Sequence, residues 1–301
     1  SYRVDVQREA DVIEEILRVY GYNNIKFSHK LNSSISFNTN KEVTLENSIA
    51  NQLTNLGFNE TMANSLTKEE YITFSENLKS EFNVTMLNPL SNELKVMRQS
   101  LLFSGLESIS YNINRKNSSL KLYEFGKTYH KYEKGYQEDK HLTLFVSGAK
   151  TKDSWTHVSK NSDFFYLKGI VMSILERIGV TNLKTSPVKS DLFSEGIVFS
   201  LGKNKLVEFG VINKRVLKEF GIKQEVLFAD FDWKSLNEIS GKKKIKVSSL
   251  LKFPSVKRDL ALLIDKKVTF KEIYNLSFQV ERNLLKDVGL FDVYQGDKLP
   301  E

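Results

Sequence analysis

Ile197-Val198-Phe199-Ser200-Leu201-Gly202-Lys203-Asn204-Lys205-Leu206-Val207-Glu208-Phe209-Gly210-Val211-Ile212 is the stretch whose reading decides the fold. Two runs of β-branched, aromatic and aliphatic residues, 197–201 and 206–212, flank Gly202-Lys203-Asn204-Lys205, a turn-forming sequence, and together they predict a β-hairpin. Upstream, Leu142, Leu144 and Val146 alternate with more polar neighbours such as Thr143, and Tyr123, Phe125 and Tyr129 share the parity of one pleat face. These strands are separated by helices without regular strand–helix alternation. Such an order favours an antiparallel sheet in an α+β domain rather than a parallel, doubly wound one.

The helices announce themselves by apolar residues at helical spacing. Val12, Ile13, Ile16, Leu17 and Tyr20 lie on one face, with Gly21 placed to end that helix. Leu45, Ile49, Leu53 and Leu56 form a second stripe that stops at Gly57, and Leu102, Leu106, Ile109 and Ile113 predict a helix across Ser100 to Asn114. A fourth starts from Asp163, a good N-cap, and runs through Leu167, Ile170, Val171, Ile174, Leu175 and Ile178 to Gly179. Asn32 to Asn40 is polar and reads as a linker. Near the end, Arg258 to Asp265 has a buried-strand pattern, Thr269 to Lys286 reads as a helix and Gly289 to Tyr294 as a short strand. A turn signal follows at Gly296-Asp297. This last unit reads as a truncated sheet domain.

The chain has 301 residues, 40% of them hydrophobic, enough for two or three domains with a sizeable core. No apolar run approaches the roughly eighteen residues of a membrane span, and the opening residues do not form a signal pattern. The absence of cysteine excludes disulfides, zinc-thiolate sites and thiol nucleophiles, and a cytoplasmic protein is the expectation. The net charge of +7 is concentrated: Lys242, Lys243, Lys244, Lys246, Lys252, Lys257 and Arg258 are opposed within 242–259 only by Asp259. Such a patch suits a polyanion, most often nucleic acid, although a solvated basic loop has the same composition. Phe253 and Phe270, beside it, suit either base stacking or core packing.

Phosphate-loop, nucleophile-elbow and His-Glu-x-x-His patterns are absent, and His29, His130, His141 and His157 have no metal-ligand spacing. One acidic constellation stands out. Asp11, Glu14 and Glu15 project from one helix face, and Asp5 lies six residues upstream of Asp11 in an extended stretch. Four oxygen ligands suit a hard cation such as Mg²⁺. The same residues also suit a solvated face with a Glu14–Arg18 ion pair.

Four blocks resemble a known family. They are Tyr2-Arg3-Val4-Asp5 through Tyr20-Gly21-Tyr22-Asn23-Asn24-Ile25; Leu87-Asn88-Pro89-Leu90-Ser91-Asn92-Glu93 through Met97-Arg98-Gln99-Ser100, with Leu122-Tyr123-Glu124-Phe125-Gly126; Asp163-Phe164-Phe165-Tyr166-Leu167-Lys168-Gly169; and Lys252-Phe253-Pro254-Ser255-Val256-Lys257-Arg258-Asp259. In this order they resemble the bacterial phenylalanyl-tRNA synthetase beta subunit, C-terminal portion. The resemblance implies a class II synthetase-like antiparallel core that has lost its active site, followed by a ferredoxin-like anticodon-binding domain. It implies the end of a metal-bearing helical domain at 1–27, a linker at 28–40, the non-catalytic core at 41–247 and the anticodon-binding domain at 248–301. It also implies an α₂β₂ ligase that joins phenylalanine to tRNA(Phe), with ATP and phenylalanine bound by the catalytic alpha subunit. No catalytic residue is expected in this chain. Arg98 is present, but no Gly-x-Gly-x-Gly-x-Glu-Arg motif follows to clamp ATP.

The family's Mg²⁺ ligands fall on Asp5, Asp11, Glu14 and Glu15, each still a carboxylate. Two loops depart from the family pattern, Lys189 to Glu195 and Ile212-Asn213-Lys214. The family's editing domain does not appear in this sequence, so editing cannot be claimed from it. Two alternatives carry different chemistry: a Mg²⁺-dependent nucleic-acid phosphodiesterase using the four carboxylates, and a stand-alone RNA-binding module. Individual RNA-contacting residues are not identifiable from the sequence.

Overall fold

The computed structural model describes residues 3–27, 30, 34, 41–156, 158–180, 182–240, 247 and 252–294. The chain divides into two compact units, Ser1–Lys244 and Ile245–Glu301. Most of the 28–40 linker, His29, His157, the lysines at 242–246 and Gly296-Asp297 lie outside the described residues.

In the first unit, the helices fall where apolar spacing puts them: α1 (Glu9–Tyr20), α2 (Lys41–Asn55), α3 (Leu102–Ile113) and α4 (Phe164–Ile178). The α4 boundaries have physical causes. The Asp163 carboxylate accepts a hydrogen bond from the Tyr166 N–H at 2.8 Å, and Gly179 adopts a left-handed conformation at φ 88° that few other residues tolerate. Gly21 ends α1 in a related way, at φ 92° with its N–H bonded to the Leu17 carbonyl.

Seven strands form the main sheet: β1 (Asn59–Glu60), β4 (Leu120–Tyr132), β5 (Gly135–Ser147), β6 (Lys184–Pro187), β7 (Phe193–Leu201), β8 (Asn204–Ile212) and β9 (Val226–Asp232). Their order is β1-β4-β5-β9-β8-β7-β6, antiparallel throughout except for the short parallel pair β1–β4. The predicted hairpin is β7–β8, with Leu201 opposite Asn204 so that Gly202-Lys203 alone make the turn. A second ribbon pairs β2 (Leu66–Thr67) with β3 (Val96–Met97).

Strand parity decides which side chains face which helices. On one face, Tyr123, Leu142, Leu144, Phe209 and Phe231 pack under α2, α4 and α6 (Trp233–Ser240), against Ile49, Leu53, Leu167, Val171 and Leu236. On the other face, Leu122, Phe145 and Phe228 pack under α3 and the turn at 69–74, against Leu102, Phe103, Leu106 and Tyr71. A short helix α5 (Lys214–Glu219) follows β8, capped by the Asn213 side chain.

The second unit corrects three expectations. Arg258 to Asp265 and Gly289 to Tyr294 form no strand ladder among the described residues, and Leu260 and Leu263 are exposed. A strand is stabilised by its neighbours, and these segments have none among the described residues. The helix α7 (Phe270–Val280) stops short of Lys286, because the Glu281 carboxylate turns to accept the N–H groups of Asn283 and Leu284 at 2.8 and 2.9 Å. Thr269 and Glu272 form a reciprocal capping box at its start. Phe253 is exposed, and Phe270 touches Tyr274 within the helix.

Candidate functional site

Among the charged clusters of the described residues in the first unit, two bear on the candidate site. The first is the carboxylate group of α1. The Arg3 guanidinium grips Asp5 through two bonds, Nε–Oδ1 at 3.0 Å and Nη2–Oδ2 at 2.7 Å, and reaches Glu15 at 3.4 Å. Arg18 lies 3.2 Å from Glu15 and 3.4 Å from Glu14, the i, i+4 pair that the sequence suggested. Asp11 sits at the third helical position and accepts the N–H groups of Gln7 and Arg8 at 3.0 and 2.9 Å, with the Arg8 guanidinium at 3.2 Å. Hydrogen bonds from Arg3 pull the Asp5 carboxyl down to about 2. The Arg8 N–H holds Asp11 below the ordinary carboxylate range.

A hard cation needs carboxylate oxygens that converge on one point. Among the described residues, no group of three or more histidine, aspartate or glutamate side chains has that arrangement. As folded here, Asp5, Asp11, Glu14 and Glu15 are engaged by protein donors instead of converging on one point. Their charge is met by Arg3, Arg8 and Arg18, and Asp11 also serves the helix N-terminus.

The second cluster lies on the α3 side of the sheet, and sequence reading missed it. Glu124, Thr143, Asp230 and Glu208 are register neighbours across β4, β5, β9 and β8, and Gly126, His141 and Asp232 form the adjacent row. Arg98 reaches into this face. Its Nη1 lies 2.8 Å from Glu124 Oε1, with the two side chains 5% and 3% exposed, and its Nε donates to the Lys127 carbonyl at 3.0 Å. Burial pushes the Glu124 carboxyl up, against the pull of Arg98. The signal available in the sequence was a glutamate at 124 between Tyr123 and Phe125, whose faces are apolar.

His141 is held between Asp230, at 2.7 Å from Nδ1, and Thr128, at 3.0 Å from Nε2. Burial alone would push its pKa down, but Asp230, helped by Asp139 and Asp232, outweighs this and raises it above 6.5. The stability from this pair is fully present below 6.5 and is lost as pH rises through the folded value. An NMR titration should place the His141 midpoint above 6.5 and move it down in Asp230→Asn. A wild-type midpoint at or below 6.5 would contradict the assigned pairing. His130 lies 4.0 Å from Asp139, and burial lowers its pKa.

A seven-stranded, mostly antiparallel sheet with helices packed on both faces, and a polar row closed by internal ion pairs, makes this an α+β core of the kind found in a solved aminoacyl-tRNA synthetase. A pyrrolysyl tRNA synthetase from Desulfitobacterium hafniense shares this fold, with a TM-score of 0.52 over 66% of this chain and 68% of that chain at 16% identity. Residues 11–233 match the family described as Phenylalanyl tRNA synthetase beta chain CLM domain, and 252–301 match the Ferredoxin-fold anticodon binding domain. The chain belongs to the phenylalanyl-tRNA synthetase beta chain family. It is 46% identical over 312 residues to the Phenylalanine–tRNA ligase beta subunit of Bacteroides thetaiotaomicron and 39% identical over 315 residues to that of Porphyromonas gingivalis. Each match covers 99% of this chain and 38% of the relative, so the chain spans well under half the length of these curated relatives.

Proposed function

We propose that this chain is a structural and tRNA-binding portion of a cytoplasmic phenylalanine–tRNA ligase, partnering a catalytic alpha subunit in an α₂β₂ enzyme. That enzyme uses ATP and Mg²⁺ to join phenylalanine to tRNA(Phe). The observation that carries the reading is the family match across residues 11–233. The domain division at 27, 40 and 247 is part of the same proposal. A cation at Asp5, Asp11, Glu14 and Glu15 in the assembled enzyme would have to displace Arg3 and Arg18 from those carboxylates.

The buried pairing of Arg98 supports a non-catalytic role. A guanidinium already neutralised by Glu124 and hydrogen-bonded to Lys127 is not free to grip a phosphate. ATP–pyrophosphate exchange driven by phenylalanine should be undetectable with this chain alone and should appear when full-length beta and alpha chains are combined. Exchange by this chain alone would overturn the non-catalytic reading.

A further inference from the structure

The loop joining β5 to α4, described at 149–156 and 158–162, is tied shut at its base. The Lys150 N–H donates to the Lys160 carbonyl at 2.9 Å, and the Ser162 N–H to the Gly148 carbonyl at 2.8 Å. Ala149 and Asn161 form a β-bridge. Inside the loop, Asp153 accepts the Ser159 N–H at 2.6 Å. The loop is therefore shaped by its own bonds, yet it presents Trp155 to solvent at 97% exposure. Phe165, in the first turn of α4, is also exposed.

The surroundings are basic. The Lys121 and Lys150 ammonium groups lie 5.2 and 5.6 Å from the centre of the Tyr166 ring, so both sit at the base of the loop. Lys152 and Lys160 belong to the loop itself; of the two acidic residues in the sequence 149–163, Asp153 and Asp163, the latter is paired with Lys150 at 2.7 Å. Protein–protein interfaces are depleted of lysine, whereas lysines beside an open aromatic face suit single-stranded nucleic acid.

We propose that the Trp155 loop is an RNA contact distinct from the anticodon-binding unit, with the indole stacked on an unpaired base and Lys152 and Lys160 meeting the flanking phosphates. The proposal rests on the tRNA-partner reading only for the choice of RNA. The chain has two tryptophans, and the other, Trp233, is fully buried, so quenching of exposed indole emission reports Trp155.

The test titrates fluorescently labelled tRNA(Phe) into the full chain, following tRNA anisotropy and indole emission at several salt concentrations. Wild type should bind with quenching of the exposed emission. Trp155→Ala should weaken binding roughly tenfold or more and remove the quenching, while Trp155→Phe keeps most of the affinity. A double Lys152→Gln, Lys160→Gln variant should bind more weakly with a flatter salt dependence. These side chains are on the surface, and circular dichroism checks that each variant is folded.

Binding without quenching, with Trp155→Ala unchanged and a Lys257→Gln, Arg258→Gln variant impaired, would overturn this contact and leave the proposed function standing. Loss of alpha-subunit association in Trp155→Ala, with tRNA affinity intact, would make the loop a protein interface and also overturn it. Failure of wild type to bind tRNA at all would remove both the contact and the tRNA-binding part of the proposed function.

Discussion

Arg98→Ala should lower the free energy of unfolding by about 3–5 kcal/mol, because it leaves a buried glutamate without its counter-ion. The main chain at residue 98 also ties elements together, independently of the guanidinium. Its backbone N–H donates to the Ser65 carbonyl and its backbone carbonyl accepts the Tyr129 N–H, at 2.9 and 3.0 Å, which fastens the β2–β3 ribbon to β4. The guanidinium crosses Gly126 so closely that a β-carbon there would stand 2.5 Å from Nη2 and 2.4 Å from Leu101, which is why glycine occupies the position.

Replacing both members of the pair, as in Arg98→Met with Glu124→Leu, should recover much of the loss. The pH dependence has a definite sign. Burial raises the Glu124 carboxyl above 4.5, so its contribution to stability is greatest below 4.5 and falls as pH rises through the folded value. Without Arg98 the opposing pull is gone, and the defect should therefore be larger at pH 7 than near 4.5. Denaturant titrations at the two pH values measure this. A loss below about 1 kcal/mol, or one that is the same at both, would refute the account.

Trp233 should give the other large effect. Its side chain is fully buried at the start of α6 and meets the Phe125 ring edge-on at 4.8 Å, within the cluster that joins α2, α4 and the sheet. Trp233→Ala should cost about 3–5 kcal/mol from lost transfer energy and the cavity left behind. Trp233→Phe should cost less, under about 1.5 kcal/mol, since it retains most of the ring volume. It also removes an indole Nε1–H that has no acceptor among the described residues. Thermal or chemical unfolding of the pair decides the matter, and equal losses in the two variants would show that cavity volume is not the cause. The Phe variant leaves Trp155 as the sole indole fluorophore.

Helices α1 to α4 and the β7–β8 hairpin were legible because their determinants are local. Asp163 and Gly179 mark both ends of α4, and Gly202-Lys203 forces the turn. β9 was not legible, since Val226 to Asp232 sits between β5 and β8 and reads as a nearly continuous apolar run without alternation. The ion pairs Arg98–Glu124 and His141–Asp230 join residues that only the sheet register brings together. At α1 the carboxylate spacing was legible and the Glu14–Arg18 pair was foreseen. The role of Arg3 depends on how the segment before the helix folds back, which spacing does not specify. Arg258 to Asp265 has strand composition, but composition cannot supply the neighbour that a ladder requires.

The strand order also bears on how the core assembles in time. The β4–β5 hairpin and the β6–β9 meander are each made of segments that are close in sequence, whereas the seam between β5 and β9 brings Leu144 against Ala229 and encloses α4. Local hairpins close quickly, and the long-range seam bears the larger loop-closure entropy, so it sets the pace of folding. Until it zips, the central strands offer unpaired edges to other nascent chains, which makes this junction the point where aggregation competes with the native state.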